Sequence, residues 1–92
     1  DEFDKQYKEM MEKAKKYRQY GIDDDKIIIK AMKLNLKDQN VDSDERIALA
    51  KIAHTVQTED DLKAYGDRLK DQNISEDRIK EINKQVRKIK GW

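Results

Sequence analysis

Cysteine and proline are absent from this chain, glycine occurs three times, and phenylalanine and tryptophan once each. Without cysteine there is no disulfide framework, no thiolate nucleophile and no cysteine zinc site. Without proline, and with little glycine in a background of Lys, Glu, Asp, Ile, Leu and Ala, the composition favours helix over sheet or disorder. No apolar run approaches the roughly 20 residues that cross a bilayer, and no basic start followed by an apolar stretch marks a secretory leader. A membrane is therefore not an expected partner. Neither charge sign dominates: Lys and Arg number 21 against 20 Asp and Glu. With 36% apolar residues against 45% charged in 92 residues, the core must be narrow, filling seams between helices. The expected class is all-α, a single domain over residues 1–92 formed as a compact bundle of about five short helices. The chain begins at Asp1 without Met, which reads as a processed product or a piece excised from a longer protein. The lack of cysteine suits the cytoplasm; disulfide-free extracellular surface modules share it.

What is present is a repeated punctuation: Gln19-Tyr20-Gly21-Ile22-Asp23, Gln39-Asn40-Val41-Asp42 and Gln72-Asn73-Ile74-Ser75. Each reads as one helix ending and the next beginning. Gly21, Asn40 and Asn73 are residue types that accept the left-handed conformation after a helix, and Asp23, Asp42 or Ser43, and Ser75 can cap the following one. Between these marks the spacing predicts helices near 2–20, 24–38, 43–55, 59–72 and 75–90. The first carries Phe3, Tyr7, Met10, Ala14 and Tyr17 as one apolar stripe. Ile22 and Ile27 are placed as a hydrophobic staple around the Asp23 cap. The second helix, dense with Ile27, Ile28, Ile29, Ala31, Met32, Leu34 and Leu36, is expected to touch neighbours on two sides and form the centre of the bundle. The third pairs Asp42 with Glu45 at capping-box spacing and turns Ile47, Ala50, Ile52, Ala53 and Val56 inward. Thr58 to Asp61 is a second capped start, before Leu62, Tyr65 and Leu69. Gly66 inside that helix costs about 1 kcal/mol relative to Ala, which suggests a close crossing or a kink. Ile74 and Ile79 form the second staple, and Ile79, Ile82, Val86 and Ile89 the last stripe.

Leu-Lys-Asp-Gln-Asn occurs twice, from Leu36 and from Leu69, each time followed by an apolar residue and then a capped start ending in Arg-Ile. The period is that of helical repeats and is consistent with two related helix-turn-helix units, but two copies are too few for a stacking array, and one connector used twice is the simpler reading. Asp38, Asn40, Asp42 and Asp44 alternate like the first ligands of a calcium loop, as do Asp71, Asn73, Ser75 and Asp77. The turn glycine is replaced by Ser43 and Glu76 and the final bidentate acid by Leu49 and Ile82, so capping accounts for these side chains and no metal is expected. No cofactor motif is present. For catalysis there are one histidine, His54, and two serines, Ser43 and Ser75, with no nucleophile elbow, phosphate loop or paired-histidine spacing. The chain reads as a non-enzyme.

Two patterns resemble known families. Gly21-Ile22-Asp23-Asp24-Asp25-Lys26-Ile27, with Leu69 to Ile79 further on, resembles the helical repeats of RecX-type recombination regulators, which bind the RecA filament. Asn73 stands where those repeats usually carry Gly. Leu36 to Leu69, with Val41 after a helix stop and Thr55-Val56-Gln57-Thr58-Glu59 before Leu62, is similar to three-helix albumin-binding modules of bacterial surface proteins. The first resemblance implies a recombination or replication accessory, the second a surface binding module; neither transfers functional residues.

Read from the residues, the leading expectation is a non-catalytic helical protein-interaction module that binds a partner or itself through apolar stripes. The candidate interface is Phe3, Tyr7, Met10, Tyr17 and Trp92, for which core filling is the competing reading. Nucleic acid is the alternative partner, through Lys13, Lys15, Lys16 and Arg18 near the end of the first helix and Lys84, Arg87, Lys88 and Lys90 at the end of the last. Compensation of helix dipoles would also put bases there.

Overall fold

The computed structural model describes all residues 1–92 and is entirely helical: α1 (Glu2–Gln19), α2 (Asp25–Met32), α3 (Asp44–Thr55), α4 (Glu59–Asp71) and α5 (Glu76–Lys90). Each start is held by a side-chain oxygen that accepts a backbone N–H left free by the first turn: Asp1, Asp24, Ser43, Thr58 and Ser75. Thr58 and Asp61 form a full capping box. At the second helix the cap is Asp24 and not Asp23, which shifts Ile22 one place further from the helix than the staple reading had it. At the third the cap is Ser43, whose Oγ accepts from Arg46 N, so the Asp42–Glu45 capping box does not form.

Two of the three punctuation marks close helices as expected. After α1, Gly21 takes φ 85°, its N–H donates to Arg18 O, and Ile22 N–H donates to Tyr17 O. After α4, Asn73 takes φ 66° with the same pair of bonds, to Lys70 O and Leu69 O. Both are Schellman closures. In the first, Ile22 and Tyr17 are both fully buried, the apolar contact that accompanies the motif. The third mark is different. Helix α2 stops at Met32 and not near residue 38, Asn40 does not adopt the left-handed conformation, and residues 33–43 form an irregular connection.

The reason lies outside the connection. Arg46, at the third position of α3, is 3% exposed, and its guanidinium donates to four main-chain carbonyls: Asn40 O at 2.8 Å, Asp38 O at 3.0 Å, Ala31 O at 3.1 Å, and Leu34 O. The five-donor fork is suited to satisfying several converging acceptors at once. Ala31 O belongs to the last turn of α2, where a cation also complements the negative end of the helix dipole. Leu34, drawn into the core by this turn of chain, is 7% exposed. Locally, Leu34 N–H donates to Ala31 O at 3.3 Å, and a side chain from the next helix holds the chain beyond.

A single core of 16 buried apolar residues runs from Ala14 to Ile89. Helix α5 packs on α2, α3 and α4, so it holds the central place expected of α2, which packs on α3 and α5. Helix α1 joins the core only through its second half, where Ala14 is 4% exposed and Tyr17 fully buried. The Tyr17 hydroxyl donates to Val41 O, tying α1 to the irregular connection. Its pKa is pushed up to about 12, chiefly by burial; the Arg46 guanidinium opposes the rise and the Asp42 carboxylate adds to it. Gly66 faces α5 near Ile79 and Asn83 with room for a Cβ, and its helix stays continuous, so neither a crossing that requires glycine nor a kink forms there.

Arg46→Ala should lower the unfolding free energy by about 3–5 kcal/mol, because four carbonyls lose a charged donor. Arg46→Lys should restore only part, and Arg78→Ala, at an exposed ion pair with Glu45, should change it by no more than about 0.5 kcal/mol. Urea denaturation of the three variants measures all of this. Since Tyr17 stays neutral in the folded state up to about pH 12 while an unfolded tyrosine ionises near 10, it contributes stability below pH 10 that is lost as pH rises toward 12. Tyr17→Phe should remove that part of the alkaline loss, seen as a smaller drop in melting temperature between those pH values.

Candidate interaction surface

The stripe of α1 divides in two. Its second half, Ala14 and Tyr17, is covered by the bundle, whereas Phe3, Tyr7 and Met10 are 74%, 55% and 37% exposed. This follows from the molecule's shape, 49 Å long and only 25 by 23 Å across. At 1.5 Å per residue α1 is about 27 Å long, and its first turns extend past the helices that could cover them. The exposed side chains lead into a cleft of about 150 Å³ between α1 and α2. Its walls are Tyr7, Met10, Met11, Ala14, Ile28, Ile29 and Met32, with Arg18 and Asp25 at one edge, ion-paired at 2.9 Å. Ile29, 38% exposed, extends the apolar surface on α2. Sequence reading named Tyr7 and Met10 of these wall residues as interface and missed Met11, Ala14, Ile28, Ile29 and Met32. Tyr17 leaves the candidate interface, since it is buried beneath Val41 and not available to a partner.

Trp92 lies at the other end of the chain, 41% exposed, with Lys90 Nζ 5.5 Å from its ring centroid. It borders a polar hollow with Lys80, Asn83, Lys84, Arg87 and Lys88. Arg87 is engaged by Glu59 at 3.7 Å. In the first basic cluster, Lys16 donates to Asp42 O at 3.2 Å and lies 3.8 Å from Asp44, and Arg18 is held by Asp25. Half of that cluster therefore serves the fold, leaving Lys13 and Lys15 exposed without an ion pair. Lys84 and Lys88 are likewise exposed beside Trp92.

No family model, characterised protein or solved structure matches this chain. The residues that carried the two resemblances act here as helix boundaries: Gly21 and Asn73 as left-handed closures, Asp24, Thr58 and Ser75 as caps.

The serine and histidine side chains are engaged in structure. Both serine hydroxyls cap helices, accepting from Arg46 N and Arg78 N. His54 Nε2 lies 3.0 Å from Asp23 Oδ1, an exposed pair that pins the end of α3 to the α1–α2 turn. Asp38 Oδ1 accepts from Asn40 N, turning the connection locally. No three His, Cys, Asp or Glu side chains converge as a metal site would need. A hollow of about 480 Å³ between α4 and α5 is open and lined by Glu59, Asp60, Lys63, Asp67, Lys70, Glu76, Lys80 and Arg87 around Gly66, Ile79 and Asn83. Its acids and bases are mixed, so it presents no field of one sign. At its floor, a Cβ on Gly66 would lie 3.4 Å from Ile79 Cγ2, an ordinary contact.

Gly66→Ala should therefore stabilise the protein by up to about 1 kcal/mol, through helix propensity and a less flexible unfolded chain. A rise in the urea midpoint at unchanged slope is the expected signature.

Proposed function

We propose that this protein is a non-catalytic helical interaction module that receives an amphipathic helix along the first half of α1 and in the α1–α2 cleft. One observation carries the reading: Phe3, Tyr7 and Met10 lie exposed in line with a cleft in which seven of nine lining residues are apolar. Aromatic and methionine side chains are enriched at protein interfaces, and methionines adapt to the shape of what docks. An apolar groove between two helices is the usual receptor for a helix presenting anchors at positions i, i+3, i+4 and i+7.

A second reading, contact with nucleic acid through Lys84 and Lys88 beside the Trp92 ring, is supported by the aromatic among bases. It is weakened by the ion pair at Arg87, by the engagement of Lys16 and Arg18, and by a formal net charge of only +1.

Titration of dilute ¹⁵N-labelled protein with an amphipathic helical peptide should shift amides of residues 3–14 and 28–32, with little dependence on salt. A mass increase in light scattering on adding a random DNA duplex, lost at high salt and on charge reversal of Lys84, Arg87 and Lys88, would replace this reading with the second. Absence of any peptide-induced shift would also reject it.

A further inference from the structure

We infer that the helix received by this surface is α1 of a second copy, in an antiparallel pair that seats Phe3 of each chain in the cleft of the other. This rests on the interaction reading above and names its partner. Phe3, Tyr7, Met10 and Ala14 alternate in steps of four, three and four, the seam of a two-stranded helix pair. Turned antiparallel about an axis between Lys8 and Glu9, that seam meets itself. Phe3 faces Ala14 of the second copy, and Tyr7 faces its Met10. The most exposed seam side chain thus opposes the smallest, Ala14, which is 4% exposed at the base of the cleft beside Ile28 and Met32. The cleft volume of about 150 Å³ is that of a hollow able to take one benzene ring. A ring is what Phe3 offers.

Charge chooses the direction. Helix α1 carries Glu2 and Asp4 in its first turn, with Asp1 capping it, and Lys13, Lys15 and Lys16 in its second half. The antiparallel arrangement brings Glu2 to the height of Lys15 along the axis and Asp4 to that of Lys13. A parallel pair would stack acids on acids and bases on bases. None of the six intrachain ion pairs involves residues 1–15, so these charges are free to complement a second copy. The arrangement is isologous, each chain giving and receiving the same residues, and so closes as a dimer.

Light scattering and sedimentation from micromolar to millimolar protein should show a monomer–dimer equilibrium. Phe3→Glu, at a position exposed in the single chain, should weaken the dimer at least about tenfold while helicity and melting are retained. The chain has no cysteine, so a nitroxide on Glu2→Cys is unique. Mixed with ¹⁵N-labelled chains, it should broaden amides around Lys15 and leave the first turn sharp. A protein that stays monomeric at millimolar concentration while still binding the amphipathic peptide overturns self-pairing and leaves the interaction reading intact. A dimer that survives Phe3→Glu, or broadening confined to the first turn, overturns the pairing described here.

Discussion

The guanidinium of Arg46 gathers the last turn of α2, the irregular connection of residues 33–43 and the first turn of α3 into one unit. Main-chain carbonyls removed from water must find donors, and four of them converge on Arg46: Ala31 O and Asn40 O also accept from Leu34 N–H and Ser43 N–H, whereas Leu34 O and Asp38 O have no main-chain donor. One planar cation serves all four, and its own charge is tolerated at 3% exposure because those carbonyl dipoles take the place of water. Much else hangs on this arrangement. With α2 ended at Met32, Leu34 can turn into the core; with the connection fixed, Val41 O is presented to the Tyr17 hydroxyl, and α1 is fastened by its second half. That fastening in turn leaves the first half of α1 free of the bundle.

The twice-used pentapeptide Leu-Lys-Asp-Gln-Asn shows what could and could not be read in advance. From Leu69 it is the end of α4, closed by Asn73 in the left-handed conformation; from Leu36 it is irregular chain. The two are followed by nearly the same capped start, yet Arg46 is buried and Arg78 is exposed beside Glu45. Local chemistry was legible wherever the deciding atoms were local: Thr58 with Asp61, Ser75, Gly21 and Asn73 behave as residues of their type should. The end of α2 was not legible, because its deciding donor lies on another helix, and an arginine in a first helical turn has no sequence mark distinguishing burial from solvation. The one-residue difference at Asp24 belongs to neighbouring residues that cap equally well, and of the two caps the sequence offered for α3, Asp42 and Ser43, Ser43 is used.

The exposed surface was legible to a similar degree. Periodicity placed Phe3, Tyr7, Met10 and Tyr17 on one face, but a stripe says nothing about how far along it the covering helices reach. Tyr17 is distinguished from Tyr7 by full burial and by a hydroxyl that finds Val41 O, a partner created by the fold. The α2 wall of the cleft escaped attention for the opposite reason: Ile28 and Met32 looked like core, and they are core on one side and cleft on the other. The basic clusters lie at helix ends, where Lys16 and Arg18 meet nearby acids that no sequence pattern marks as their partners.

The bonds of Arg46 also have an entropic side. They join residues 6 to 15 positions apart in the chain, whereas the Tyr17–Val41 bond spans 24 positions and the Arg78–Glu45 pair 33. The entropy lost in closing a loop rises with its length, so the bonds gathered by Arg46 cost less chain entropy than those that fasten α1 or tie α5 to α3. The same side chain that measures out the connection thereby joins α2 to α3 through short loops alone.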